Sequence, residues 1–224
     1  MTKERLSEEV IAMRAAKEFQ DGDYVNLGVG VPNLCALFVS GDRTVFFESE
    51  NGVLGYGPVL LDDEFEDVDI RFVDAGGRFF WPKGGMSFFD MDISFDMIRG
   101  GRLDISVMGA YQVSEKGDLA NYRRPNDASI GIGGSMDLAV GAKRVIVAME
   151  HTTRYGQPRI LKECTYPLTA KECVDLIVTD VAVIKITPEG LLLQELAPGW
   201  TSGEVQGLTE ARLIISEDLK EIEL

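Results

Sequence analysis

The sequence predicts an open, mostly parallel α/β sheet covered by helices. Two observations carry this expectation. Short, mainly apolar runs, interrupted only by Arg71 and Ser106, recur at residues 70–73, 105–108, 145–149 and 176–178. Such runs are the pattern of strands buried on both faces. Helical patterns lie between them, which is the order of a layered α/β chain. In these sheets ligands gather outside the carboxyl ends of the strands, so the loops after strands carry the functional question.

Taken in order, Ser7 reads as an N-cap, with Glu8 and Glu9 at the positive end of the helix dipole. Val10, Ile11, Met13 and Ala16 give that helix an apolar face, and Gly22 is expected to end it. Residues 24–27 read as a strand running into Gly28-Val29-Gly30-Val31-Pro32, and Pro32 suits the first turn of a helix through Leu34 and Phe38. Thr44-Val45-Phe46-Phe47 is a β-rich run that ends at Glu48-Ser49-Glu50-Asn51-Gly52. A helix is expected over 94–98, before Gly100-Gly101, and residues 217–223 read as an acidic, solvated end.

The bulk composition bounds the function. A chain of 224 residues with 45% hydrophobic content can bury one core, so a single domain over 1–224 is expected. The formal net charge is −15, and no basic stripe suggests a nucleic-acid partner. Cys35, Cys164 and Cys173 are an odd set without a close pair, which argues for buried structural thiols. Lys162-Glu163-Cys164 recurs as Lys171-Glu172-Cys173, which is not metal-site spacing. The N-terminus reads as an amphipathic helix, and no apolar run approaches the ~20 residues of a membrane span. A soluble protein in a reducing cytoplasm is the expectation.

Three stretches fall where strands end: 28–33, 48–57 and 131–137. Glu50 lies just past a strand and is followed by Gly52, Gly55 and Gly57. A carboxylate so placed can attack an activated acyl group. Equally, Asn51-Gly52 can be an ordinary turn pair. Gly28 and Gly30 open a helix and could cradle an anion or carbonyl, but the spacing to a third glycine of a dinucleotide loop is missing. A tight strand–helix turn explains them as well. Gly133 and Gly134, in Gly131-Ile132-Gly133-Gly134-Ser135-Met136-Asp137, could turn backbone N–H groups toward an oxyanion or could be a close-packed turn. His151, the one histidine, reads as structural, since no ligand spacing for a metal surrounds it. Arg123-Arg124 could meet a phosphate or form solvated surface.

Together these stretches resemble the B (beta) subunits of class I coenzyme A transferases of the 3-oxoacid type. Ser49-Glu50-Asn51-Gly52-Val53-Leu54-Gly55-Tyr56-Gly57-Pro58 is the specific segment. Asn26-Leu27-Gly28-Val29-Gly30-Val31-Pro32, Met97-Ile98-Arg99-Gly100-Gly101, Gly117-Asp118-Leu119-Ala120-Asn121 and Gly133-Gly134-Ser135-Met136-Asp137-Leu138 extend the likeness along nearly the whole chain. The resemblance implies the ribose-5-phosphate isomerase/CoA transferase fold, with Glu50 as catalytic carboxylate and the Gly134 amide in an oxyanion hole. It implies that Gly28, Gly30, Asn51, Gly52 and Gly133 line the substrate and CoA site. It also implies coenzyme A as a co-substrate with no permanently bound cofactor or metal, and an alpha (A) subunit partner in a hetero-oligomer such as α2β2. The expected substrates are an acyl-CoA and a short carboxylic acid.

Two segments depart from the family pattern. Asn121-Tyr122-Arg123-Arg124-Pro125-Asn126-Asp127 stands where Asn-Trp and then Pro-Gly-Lys are usual, and Phe79-Phe80-Trp81-Pro82-Lys83-Gly84-Gly85 alters a Leu-Pro-Gly pattern. Both bear on the acyl substrate. The alternatives are a sugar-phosphate isomerase or deaminase on the same fold, which would need a basic phosphate cradle, and a non-catalytic regulatory subunit, which would be expected to lose Glu50 or the glycines.

Overall fold

The computed structural model describes residues 3–60, 69–125 and 131–223. Helix α1 spans Glu8–Ala16 and leads to strand β1, Tyr24–Leu27. Helix α2, Val31–Leu34, continues as a 3₁₀ turn over Cys35–Phe38. Strands β2, Phe46–Ser49, and β3, Val53–Tyr56, form a hairpin, and β4 follows at Ser87–Phe88. Helix α3 is Met91–Arg99 and β5 is Ile105–Met108. A small three-stranded sheet collects β6 at Gln112–Ser114, β7 at Leu119–Ala120 and β9 at Ile160–Leu161. Helix α4, Ser135–Gly141, precedes β8, Arg144–Met149. The rest is β10, Leu176–Thr179, β11, Ala182–Thr187, β12, Gly190–Leu196, helix α5, Ser202–Leu208, and β13, Leu213–Glu221.

Ten of these strands make the main sheet, in the order β13-β12-β11-β10-β8-β5-β1-β2-β3-β4. Its centre, from β10 through β8, β5 and β1 to β2, is parallel throughout. Side chains alternate across a strand, so each central strand feeds two cores. Val25, Leu27, Ile105, Val107, Ile146 and Ala148 pack with Ile11, Ala12 and Ala15 of α1 and with Leu34 of α2. Val145, Val147, Met108 and Ile177 pack with Ile98 of α3 and Leu138 of α4 on the other face. That two-sided burial is why these strands read as continuous apolar runs.

One position on the α3/α4 face breaks the rule. Asn26 of β1 stands in register between Ser106 of β5 and Glu48 of β2, and all three are buried. A polar stripe thus crosses three parallel strands, two residues short of Gly28 and of Glu50.

The structure revises some of the sequence expectations. Residues 70–73 are not a strand: Ile70 and Arg71 form a turn, because the Asp69 carboxylate accepts the Arg71 N–H at 3.0 Å and the Asp69 carbonyl accepts the Phe72 N–H at 2.9 Å. Only Val73 pairs, in an isolated bridge to Phe79. The acidic C-terminus is solvent-exposed as expected, but it is ordered as the edge strand β13, parallel to β12, and Ile222 just past it is buried. The hairpin β11–β12 was also unforeseen. Helix α1 stops at Ala16, before Gly22, which instead takes a φ of 89° in the turn into β1. Ser7 is its N-cap residue, but its side chain makes no cap bond.

Candidate active site

Glu50 is the first residue beyond β2, at the carboxyl edge of the parallel strands. The turn that carries it is fixed by its neighbours. The Gly52 N–H donates to the Ser49 carbonyl at 2.9 Å, and the Phe89 N–H donates to the Gly52 carbonyl at 2.9 Å. Gly52 has φ 103°, and a Cβ there would sit 2.0 Å from the Phe89 carbonyl oxygen, so only glycine fits. Asn51 turns away from Glu50, donating its amide to the Val73 carbonyl at 2.9 Å. The Ala75 N–H donates to Ser49 Oγ at 2.9 Å, which ties the 74–77 turn to the same loop.

The Glu50 side chain lies against the start of α4. A Cβ built on Gly134 would be 3.3 Å from Glu50 Cγ, 3.4 Å from Glu50 Oε1 and 3.3 Å from Phe95 Cζ of α3. Gly134 is buried at the N-cap position of that helix, while Gly133 is exposed with φ 53°. A side chain at position 134 would therefore crowd the carboxylate.

Beneath Glu50 lies the polar stripe. Asn26 Nδ2 donates to Glu48 Oε2 at 2.9 Å and reaches Glu50 Oε2 at 3.5 Å. Ser94 Oγ of α3 and Glu48 Oε1 are hydrogen-bonded at 2.6 Å. Burial pushes the Glu48 carboxyl up to about 7, a rise to which the Glu50 charge adds, against the lowering by Ser94 and Asn26. Tyr56 of β3 is buried beside this group, and its phenol is raised by burial first and then by Asp74, Glu48 and Glu50. The site is thus a dry, acidic corner with one carboxylate opening toward the surface.

The glycines of the 28–33 stretch are less directly involved. Gly28 continues the β1–β5 pairing, its N–H donating to the Val107 carbonyl at 2.8 Å, and a Cβ would meet that oxygen at 3.1 Å. Gly30, with φ 87°, faces open space at the N-cap of α2. Asn33, its amide oriented to suit its neighbours, donates to the Leu27 and Gly28 carbonyls at 3.2 and 2.7 Å. The stretch touches the 74–77 turn, where a Cβ on Gly76 would be 3.1 Å from the Asn33 side-chain amide and from Val29 Cγ2. Glu50 and Gly134 are brought together; Gly28, Asn51 and Gly52 have backbone or side-chain bonds that shape the loops around them.

Asn26, Glu48, Ser94 and Phe95 were not singled out from the sequence. The available signal was polar residues inside otherwise apolar strands, at Asn26 and Ser106. His151 is buried, with Nδ1 3.0 Å from Thr179 Oγ1 and Nε2 2.8 Å from Thr209 Oγ1. It is far in sequence and fold from Glu50, and among the described residues no group of three or more His, Cys, Asp or Glu could hold a metal ion. Cys35 is buried, Cys164 and Cys173 half-buried, and burial raises the latter two thiols to about 12. Arg124 lies over the Tyr111 ring, 5.0 Å from its centroid; Asn126 and Asp127 lie outside the described residues. A groove of about 1040 Å³ runs between Glu115, Glu189 and Arg212, at the opposite edge of the sheet from Glu50. No helix among the described residues is long and apolar enough to cross a membrane.

The chain matches the coenzyme A transferase family over residues 8–207. It belongs to that family. It is 47% identical to the B (beta) subunit of the 3-oxoadipate CoA-transferase of Pseudomonas putida, covering 94% of this chain and 97% of that one. It is equally 47% identical to the mitochondrial succinyl-CoA:3-ketoacid coenzyme A transferase 2B of Mus musculus, over 94% of this chain but 40% of the mouse protein. A solved acyl-CoA transferase of Escherichia coli O157:H7 superposes with a TM-score of 0.76 at 20% identity, covering 100% of this chain and 44% of that one. The chain therefore spans less than half the length of the mouse and Escherichia coli proteins, and nearly all of the Pseudomonas polypeptide. The open α/β fold expected from the sequence is the fold of this family member.

Proposed function

We propose that this chain, a single domain over residues 1–224, is the glutamate-bearing subunit of a two-subunit CoA transferase. It moves CoA from an acyl-CoA to a short carboxylic acid, and the names of the relatives favour a 3-oxoacid such as acetoacetate or a related acid. The observation that carries the proposal is the closeness of Glu50 to Gly134: a Cβ added to the glycine at which a helix begins would stand 3.4 Å from the carboxylate oxygen.

The chemistry follows from the residues. The Glu50 carboxylate attacks the thioester carbonyl of the acyl-CoA and expels the CoA thiolate, leaving a mixed anhydride on Glu50. The thiolate then attacks the Glu50 carbonyl of that anhydride, releasing the first acid as its carboxylate and leaving a glutamyl-CoA thioester. The acceptor carboxylate enters by the reverse of the same two steps. Every step exchanges a carboxylate for a thiolate, so no proton moves. The requirements are an ionised Glu50 and stabilisation of the tetrahedral oxyanions. The Gly134 N–H is assigned to that stabilisation, a role worth ~2.7–4 kcal/mol per donor in other enzymes. Gly28, Gly30 and Gly133 are assigned to the walls along which CoA and the acid lie, with Asn51 and Gly52 holding the loop. Coenzyme A is a co-substrate.

The second half of the site is assigned to an alpha (A) subunit, in a hetero-oligomer such as α2β2. Exposed apolar side chains lie on the segments that frame Glu50: Val29 is 68% exposed, Met91 61%, Ile93 49% and Met136 41%. Apolar surface concentrated around a site favours a partner there. Unpaired thiols fit a reducing, cytoplasmic setting. The test is kinetic: with an alpha-type subunit, acetoacetyl-CoA and acetate should give parallel double-reciprocal lines. Equal turnover from this chain alone would contradict the two-subunit reading, and intersecting lines would contradict the relay through Glu50.

A further inference from the structure

We propose that Glu48 is a positioning residue for Glu50: it holds the Asn26 amide that also reaches Glu50, and so keeps the nucleophile against Gly134. The proposal rests on the reading of Glu50 as the nucleophile.

The geometry is a short relay across two strands and a helix. Glu48 is fully buried. Its Oε1 is 2.6 Å from Ser94 Oγ and its Oε2 is 2.9 Å from Asn26 Nδ2. The same Asn26 nitrogen is 3.5 Å from Glu50 Oε2 and 3.3 Å from the Glu48 carbonyl oxygen. Asn26 Oδ1 is buried without a hydrogen-bond partner. The orientation of the amide is therefore set by the acceptors on its nitrogen side alone, and the tightest of them is Glu48. Glu50 is the weaker claimant on a donor that Glu48 already holds.

The charge state follows from what surrounds Glu48. From its own strand and the turn beyond it, Glu50 faces it; from β3, Tyr56; from β1, Asn26; and from α3, Ser94. Among the described residues no Lys, Arg or His forms an ion pair with it. A dry carboxyl beside another carboxylate resists ionising, because like charges in a low-dielectric site repel and neither is hydrated. The 2.6 Å pair with Ser94 serves both charge states: the serine hydroxyl donates to the ionised carboxylate, and the O–H of the neutral acid donates to Ser94 Oγ. With Glu48 neutral, the corner carries one negative charge, and that charge is the attacking group. If Glu48 ionises, a second anion stands next to the carbon where an oxyanion must form, and it repels Glu50 from the shared amide. Turnover should then fall.

The sequence context gives no other task to this carboxyl. Among the described residues Glu48 makes no cap and no salt bridge; its partners are Asn26 and Ser94. A buried acid costs stability unless hydrogen bonds compensate it, and Glu48 has two, from Asn26 and Ser94.

The experiment is kcat/KM for acetoacetyl-CoA against pH, measured on the complex with the alpha-type subunit, for the wild type, Glu48→Gln and Ser94→Ala. Intact-mass detection of the CoA adduct accompanies each. The wild type should lose kcat/KM about tenfold per pH unit above a break near 7. Glu48→Gln, a neutral isostere that still accepts from Asn26, should remove that break and stay active above it. Ser94→Ala removes a bond that favours the ionised carboxyl, so the break should move to higher pH. A wild type without the break, or a folded Glu48→Gln that merely slows while keeping it, overturns the proposal. If Glu48→Gln does not fold, an unmoved break in Ser94→Ala overturns it equally. A wild type that forms no adduct at any pH is a different result: it removes Glu50 as the nucleophile.

Discussion

Glu50 and Gly134 meet so closely that a single added methyl carbon on the glycine would stand 3.3 Å from Glu50 Cγ and 3.4 Å from Glu50 Oε1. No other glycine among the described residues faces the proposed nucleophile in this way. The relationship links the turn after β2 to the N-cap of α4, two segments more than eighty positions apart in the chain.

Gly134→Ala should therefore slow the chemistry and leave folding intact. Its φ of −83° suits alanine, so no backbone strain opposes the change. The new Cβ must instead displace Glu50 or Phe95 by a few tenths of an ångström. A nucleophile moved that far from its attack line should lose kcat about tenfold, and a full ångström would cost about 10²-fold. Steady-state kinetics check this: a raised KM with unchanged kcat would count against the oxyanion assignment.

Gly52→Ala should behave in the opposite way. Here the Cβ would meet the Phe89 carbonyl at 2.0 Å, and φ is 103°. Backbone must shift, so stability should fall by more than about 1 kcal/mol. Thermal melts of the two alanine variants side by side separate a glycine needed for packing from one needed for chemistry. A melting temperature for Gly52→Ala equal to wild type would show that the turn is held less tightly than its geometry implies.

His151 predicts a pH-dependent stability. Burial depresses its imidazole to about 4, with Asp180 opposing and Arg5 adding to the effect. A histidine whose folded value lies below the unfolded ~6.5 favours folding as the neutral ring. Its contribution is complete above pH ~6.5, and is lost as pH falls from there toward about 4. The loss amounts to about 3 kcal/mol. Denaturant melts at about pH 7 and pH 4 should show the wild type losing that much more than His151→Gln, which keeps hydrogen-bonding capacity toward Thr179 and Thr209 but does not titrate. Equal losses in both proteins would contradict the buried neutral ring.

Much of this architecture was legible in the amino-acid sequence, for physical reasons. Strands buried on both faces have no polar alternation, so β5, β8 and β10 stood out as apolar runs. Glycines with positive φ mark the turns, and Glu50 is visible because it follows a strand and precedes three glycines. The apolar run at 70–73 misled because a side-chain acceptor, Asp69, turned the backbone over before it could pair. The edge strand β13 was missed because most of its residues, on both sides, are exposed, which gives it the acidic composition of a loop. Asn26, Ser106, Ser94 and Glu48 were missed for a different reason. Asn26 and Ser106 are each one polar residue in an apolar strand, and only the register of β1 with β2 and β5 sets them in line with Glu48, which Ser94 reaches from α3. Pairing register is a long-range property, set by packing and not by local pattern.

The central claim, that Glu50 carries the covalent intermediate, is tested most directly by mapping it. The complex with its alpha-type subunit is incubated with acetoacetyl-CoA, treated with borohydride, digested and sequenced by mass spectrometry. Borohydride reduces a glutamyl thioester to the alcohol, so the peptide containing Glu48-Ser49-Glu50-Asn51-Gly52 should carry the reduced side chain at Glu50, and only when acyl-CoA was present. Glu50→Gln should show neither the modification nor turnover while melting like the wild type. A reduced residue at Glu48 or elsewhere, or an unmodified Glu50 in an enzyme that still turns over, would contradict the account.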